Sequence, residues 1–528
     1  MAVAVMTCGA GALAHAQFQN VGSIEFETSA LAEAQQPFLR GVAILHSFGW
    51  AQAREQFREA QRLDPDFALA YWGESLAYNH PLFSGMDPTK PRSALARLAS
   101  TRAGRLAKAL TDREKGFLTA VEVLWGDGDQ VARRVGYMEA MEDLYEANPN
   151  DSEVAAFYAL SVLGASRATG DQSRRPEMRA GVIALKLFNE KPNHPGAAHY
   201  TIHSYDDPLH APLALAAAER FAEIAPAVAH ARHMPTHIFI QHGMWDRVSG
   251  NNQYAFEAAM DLWNGGESVG DAMHSLDWGH YGDLQRGDYA KARLWVERLD
   301  GLAQRAGGER ASRSRSRLVA RYVIETEEWT IGPITEDSSA VELLATGLSA
   351  ARTGDQASAG AAEAALRALV ENGGLGAGTT TQIMHKEVGA LVHAAMGSDL
   401  KARGSARSTF FLHFDIATGL MDEAVELVLT MRPPNGPATP SKPVFELYGE
   451  LLLDLHQPAK AIERFETSLM RLPNRPRSLL GMARAQAAVG NRAAASEYYT
   501  RVAEVWDGRD AFEGYREAKR YLETTEEP

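Results

Sequence analysis

One histidine pair occurs twice in this chain at a fixed offset. His199 and His203 sit in HYTIHSYDDP, and His233 and His237 sit in HMPTHIFIQHG. His233 follows His199 by 34 residues, and His237 follows His203 by the same interval. That interval is the length of a helix–turn–helix repeat unit, so the sequence predicts a stack of paired helices. Within each pair the spacing is i, i+4, which sends both rings out of one helix on the same side. Stacking brings equivalent positions of neighbouring units together, so four imidazoles are expected to converge.

Other units follow the same pattern of small, aromatic and proline positions. Phe38 opens one, with Gly41 at the small position, Ala53 and Phe57 in the second helix and Pro65 at the close. The next begins near Tyr71, with Ser75 at the small position. Gly449, Ala461, Phe465 and Pro473 repeat the set, and Ala495 and Tyr499 continue it. Ala214, Ala218 and Pro226 hold these places in the central unit, and Thr236, Gly243 and Trp245 in its successor. Between them, 112–125, 133–147, 153–163, 338–353 and 357–370 carry apolar residues at helical spacing. No alternating strand pattern occurs. Breaks fall at 126–128, Gly265-Gly266, Gly307-Gly308, 372–381 and the proline-rich 433–443. The expected fold is all-α: a tetratricopeptide-repeat helical solenoid, a superhelix with room for two lobes. The expected divisions are a signal-like segment 1–16, a repeat solenoid 17–320 holding the histidines, an irregular helical region 321–432 and a C-terminal repeat block 433–528.

The 528 residues carry a formal net charge of −14, with 45% apolar and 23% charged residues. That composition suits a folded protein and disfavours nucleic acid as a partner, since phosphate binding needs a clustered basic surface. The single dense basic run, Arg310 to Arg317, reads as a solvated helix end or loop. The N-terminus is small and apolar and ends in Ala14-His15-Ala16, the pattern of a cleaved signal, although it lacks a basic start. A periplasmic or secreted location is expected on that reading, and a cytoplasmic one if the segment is not a signal. No membrane span is expected after cleavage. Cys8, the one cysteine, lies inside this segment, so disulfides and thiolate metal sites are not expected.

The segments FLRGVAILHSF, ALAYWGESLAYNHPL, HYTIHSYDDPLHAPLALAAAERFAEIAPAVAHARHMPTHIFIQHGMWD and PNRPRSLLGMARA resemble large bacterial exported tetratricopeptide-repeat proteins. The central histidine segment is the most specific part. The resemblance implies an all-α superhelix and supplies no reaction. In such repeats the fifth and ninth places of each unit line the concave groove, and both histidine pairs fall there. Asp277 and Tyr281 take those places in a later unit, with His274 three residues earlier, and Glu446 and Glu450 take them near the C-terminus. His46, Glu74 and His80 are further groove candidates.

Imidazole suits Zn, Cu and Fe, provided that it is neutral and its second nitrogen is held. A transition metal ion (Cu, Zn or Fe) is therefore expected on His199, His203, His233 and His237, with His274 or Asp277 joining. Asp206, Asp207 and Asp277 are candidates to hold the rings. Hydrolytic and redox chemistry are both compatible with such ligands, and no catalytic residue is assigned. His194, His385, His393, His413 and His456 read as packing histidines, His210 and His242 as surface or turn residues, and His230 is open. Two rival readings remain: a groove that binds a peptide or small molecule without metal, and an enzyme using a histidine as general base. No Walker, dinucleotide, zincin or nucleophile-elbow motif occurs.

Overall fold

Phe57 shows how the helices are fitted together. It lies on the helix Trp50–Leu63 and packs against Gly41 of the preceding helix Ala32–His46. A Cβ at Gly41 would stand 2.9 Å from the Phe57 ring, and Gly73 on the helix Ala68–Leu76 meets the same ring from the other side. The arrangement recurs far along the chain. Phe465 on Pro458–Arg471 packs against Gly449 of Val444–Asp454, where a Cβ would stand 2.7 Å away, and against Gly481 of Pro476–Ala488. In both places an aromatic ring keys three successive helices together, and glycine is needed because a side chain would displace the ring. This is the internal packing of a tetratricopeptide-type unit, as the repeat pattern predicted.

The computed structural model describes residues 18–82, 87–263, 269–306, 309–373 and 378–526. The signal-like segment with Cys8, Gly265-Gly266 and Gly307-Gly308 lie outside the described residues. Among the described residues there is no β-strand, and no helix is long and apolar enough to cross a membrane. The chain divides into two compact units. The first runs to Ile238 and includes Tyr254–Leu262; the second takes Phe239–Gln253 and Trp263 onward.

In the first unit, helix starts are set by local caps. Thr111 and Glu114 form a reciprocal capping box, and Asp129 and Asp151 accept first-turn N–H groups of their helices. Its core holds Phe38, Trp72, Phe117, Phe157 and Phe221, each fully buried. The helix Ala32–His46 packs on the much later helix Pro195–Ser204, so this unit returns on itself rather than pairing only sequence neighbours.

In the second unit, the helices Ala340–Thr353, Gln356–Gly373, Thr379–Ala402 and Arg407–Leu429 pack in sequence order. Leu344, Leu366, Ile383, Val388 and Met421 form their core. Phe465 joins that core to the C-terminal hairpins.

Candidate metal centre

The site begins with a buried carboxylate. Asp151 caps the helix Ser152–Thr169 by accepting the N–H groups of Glu153 and Val154. Its first turn thereby places Glu153 inside the first unit, fully buried. His46 Nε2 lies 2.8 Å from Glu153 Oε2, and His194 Nε2 lies 3.1 Å from Glu153 Oε1. His194 Nδ1 accepts the Ala197 N–H at 3.1 Å, which caps the helix Pro195–Ser204. An acceptor nitrogen carries no proton, so His194 is protonated at Nε2 and donates to Glu153. His46 likewise donates from Nε2, and its Nδ1 accepts from the Tyr200 hydroxyl at 2.8 Å. The close approach depends on Gly196, where a Cβ would stand 2.5 Å from His46 Nδ1.

Burial pushes the Glu153 carboxyl up, but the His194 and His46 N–H groups outweigh it and hold the group down at about 2. Burial also lowers His46 below the ordinary imidazole value, against the pull of Glu153. The anion is therefore held by two imidazole N–H groups. Every ring nitrogen of His46 and His194 is committed, so this trio, although its donor atoms lie within 4.8 Å of one another, is a hydrogen-bonded brace rather than a ligand set.

In front of this brace stand the sequence-predicted histidines. His199 is fully buried, and its Nδ1 donates to the His46 carbonyl at 2.6 Å. That bond leaves Nε2 with its lone pair, and Nε2 is buried with no hydrogen-bond partner. Burial drives His199 well below the ordinary imidazole value, with His203 adding to the effect. His199, His203 and His230 bring one ring nitrogen each within 4.8 Å of one another. Phe48 borders all three rings, at centroid distances of 4.4, 5.8 and 5.3 Å. It holds that position from a left-handed backbone with φ of 57°, a conformation that costs a non-glycine residue energy. Trp50 stacks on Phe48 at 4.5 Å.

The second histidine pair adjoins the first. His237 Nδ1 donates to Asp206 Oδ2 at 2.6 Å, and its Nε2 faces His233 Nε2 at 3.1 Å. Two imidazole nitrogens that close must either share a proton or share a cation. The His203 and His237 rings lie 5.8 Å apart, and those of His230 and His233 lie 6.0 Å apart. The first unit thus gathers all four predicted histidines together with His230. Asp206 takes the holding role expected of it. Asp207 instead accepts from His210 and Arg174 and anchors a turn.

His46 belongs to the brace. His80 lies against Trp50, with ring centroids 4.7 Å apart. Glu74 is fully buried and bonded by Arg58, Gln61 and Arg97. In the second unit, His274 lies on the helix Gly270–Gln285 beside Trp278, 5.7 Å between centroids. Asp277 on that helix pairs with Arg321 at 2.8 Å and Arg317 at 3.4 Å. Burial would raise its carboxyl, but the two guanidinium groups bring it down to about 2. Glu446 and Glu450 share Lys442, and Glu446 and Tyr281 both bond Arg475. These carboxylates are spent on arginine and lysine. Glu153, Tyr200 and Phe48 were not singled out by the sequence, and His194, read there as a packing histidine, is bonded to Glu153. His230 could have been, since it stands three residues before His233 on the same face of the chain.

Neutral buried histidines make the metal-free first unit sensitive to acid. His46 and His199 are depressed in the folded state, so their contribution is present above about pH 6.5 and lost as pH falls below it. Each adds a slope of up to about 1.4 kcal/mol per pH unit. Urea unfolding of metal-free protein between pH 7.5 and 5 should show this loss, and His199→Gln should remove part of the slope. A flat stability profile over that range would contradict the assignment.

Paired helices keyed by an aromatic ring between glycines, with an enclosed histidine cluster in the first unit, define a tetratricopeptide-type helical protein carrying a candidate metal centre. No family model matches the chain, and no curated protein matches it. Among solved structures it is similar to the P58(IPK) TPR domain, at 12% identity over 94% of this chain and 100% of that one, with a TM-score of 0.22. It is similar to yeast Tom70 at 14% identity over 93% and 95% of the two chains, TM-score 0.28. The third is Cut9–Hcn1, at 12% identity over 98% and 80%, TM-score 0.30. Similarity at this level carries nothing about ligand or activity, which rest on the site alone.

Proposed function

We propose that the first unit binds a transition metal ion (copper, zinc or iron) through its histidine cluster, and that the chain is an exported metal-binding tetratricopeptide-repeat protein. The observation that carries this is the state of His199. Its Nδ1–H is held by a backbone carbonyl and its Nε2 is buried without a hydrogen-bond partner, beside ring nitrogens of His203 and His230. A buried lone pair left unsatisfied is costly, and an imidazole oriented by a carbonyl on its far nitrogen is the usual arrangement of a metal ligand. Low proton affinity supports the same reading, since a ligand must be neutral. Three imidazoles leave a coordination position for water or substrate, which allows a metal-dependent enzyme.

Untagged protein, never exposed to nickel resin, is expected to retain transition metal on elemental analysis. Adding metal to chelator-stripped protein should raise the stability of the first unit by about 4 kcal/mol at a thousandfold excess over Kd. His199→Gln with His203→Gln should reduce both effects. Absence of metal, even after reconstitution with zinc, copper and iron, would leave a repeat scaffold that binds peptides or small molecules without metal.

A further inference from the structure

The cluster offers more ligands than one ion can gather. Ligands at ~2.0–2.1 Å from one metal stand at most ~4.2 Å apart. His199, His203 and His230 meet within 4.8 Å, near enough to close on a single ion with small ring movements, and His233 and His237 are not members of that set. They pair with each other instead, Nε2 to Nε2 at 3.1 Å. Each set also has its own holder. The His46 carbonyl fixes His199 through Nδ1 at 2.6 Å, and the Asp206 carboxylate fixes His237 through Nδ1 at 2.6 Å. In both rings Nε2 is left as the donor atom, and the holders come from different parts of the chain. Yet the sets touch, with His203 and His237 rings 5.8 Å apart and His230 and His233 rings 6.0 Å apart.

We infer that the cluster is a dinuclear centre, with one transition-metal ion on His199, His203 and His230 and a second beside it on His233 and His237, backed by Asp206. This rests on the metal-binding reading above and goes beyond it in number and division of ions. The two positions differ in character. The first is bordered by Phe48 and has three imidazoles. The second has two imidazoles from the first unit and a carboxylate behind one of them. Asp206 supplies one negative charge toward the two dications, and a small oxygen ligand or oxyanion between them would supply more. Adjacent ions of this kind clamp both oxygens of a displacement at a small substrate, or bind a small oxygen species between them.

The test uses the full chain, stripped with chelator and dialysed against Cu(II). Two coppers per chain are expected, with a weakened paramagnetic resonance signal and a half-field transition from a coupled pair. His199→Gln/His203→Gln and His233→Gln/His237→Gln should each retain one copper with an ordinary uncoupled spectrum. Asp206→Asn leaves all ligands in place and should weaken the second copper by about 10–100-fold. Circular dichroism melts check that each variant is folded. One copper per chain, lost with either pair, would overturn the dinuclear centre and leave the metal-binding reading standing. Two coppers that both pair variants retain would place the ions elsewhere and overturn both. No copper, and no zinc or iron on reconstitution with those ions, would likewise overturn both.

Discussion

Replacing Arg475 with methionine is expected to lower the unfolding free energy of the second unit by about 3–5 kcal/mol. Arg475 is fully buried, and its guanidinium bonds Glu446 at 2.7 and 3.0 Å and Glu325 at 2.9 and 3.1 Å. The same group donates to Tyr281 Oη at 3.1 Å and Gln285 Oε1 at 3.3 Å. Burial works against its charge, but Glu325 and Glu446 hold its proton far more tightly than in water. Removing the cation leaves two buried carboxylates facing each other, with Glu446 keeping only a share of Lys442, which also bonds Glu450. Desolvated charge without a partner is the costly state; the intact pair itself need not be stabilising. Arg475→Met combined with Glu446→Gln should therefore recover part of the loss. Urea unfolding followed at the second unit measures both. A single variant as stable as the parent would mean that water reaches this cluster.

Glu153→Ala should cost the first unit about 3–5 kcal/mol, because the His46 and His194 N–H groups would be left buried without an acceptor. Glu153→Gln should be milder, and the geometry says how. His194 must keep its Nε2 proton, since its Nδ1 accepts the Ala197 N–H. The amide oxygen must therefore face His194, and the amide NH2 must face His46. His46 then has to move its proton to Nδ1 and donate to Tyr200, reversing the bond it makes now. All the contacts survive with altered polarity, at about 1–2 kcal/mol. Tyr200→Phe should combine non-additively with Glu153→Gln, since the two share His46. If Glu153→Gln proved as damaging as Glu153→Ala, the proton positions assigned to this brace would be refuted.

The repeat architecture was readable because its signals are local. A 34-residue offset and glycine–aromatic spacing survive without knowledge of the fold, and they brought His199, His203, His233 and His237 to one place in the first unit. The holder Asp206 was also within reach, lying three residues after His203. Glu153 was not, because it lies 107 residues from His46 and nothing in its own helix marks it as an anion receiving two imidazoles. His194 was read as a packing residue, and both of its ring nitrogens are spent on structural hydrogen bonds. Position in a repeat misled in another way. Glu74, Asp277 and Glu446 occupy places that suit a ligand groove, but whether a carboxylate there is available depends on arginines elsewhere. Arg58 and Arg97, Arg317 and Arg321, and Arg475 claim them. A backbone angle such as that of Phe48 leaves no trace in sequence at all.

The return of the helix Ala32–His46 onto Pro195–Ser204 governs when the centre can exist during synthesis. In most stacked-repeat proteins each unit meets only its neighbours, so partial chains already own finished surfaces. Here His199 takes its orienting bond from a carbonyl 153 residues upstream. Phe48 closes over the rings from the same early hairpin. A ribosome must deliver the chain through Ser204 before the first-made hairpin finds its place and through His237 before the cluster is complete, and a fragment that begins after Phe48 carries all five histidines without the His46 carbonyl or the Phe48 cover. Such a fragment would be a loose histidine-rich peptide, whereas in the completed unit the rings are oriented by the His46 carbonyl and covered by Phe48.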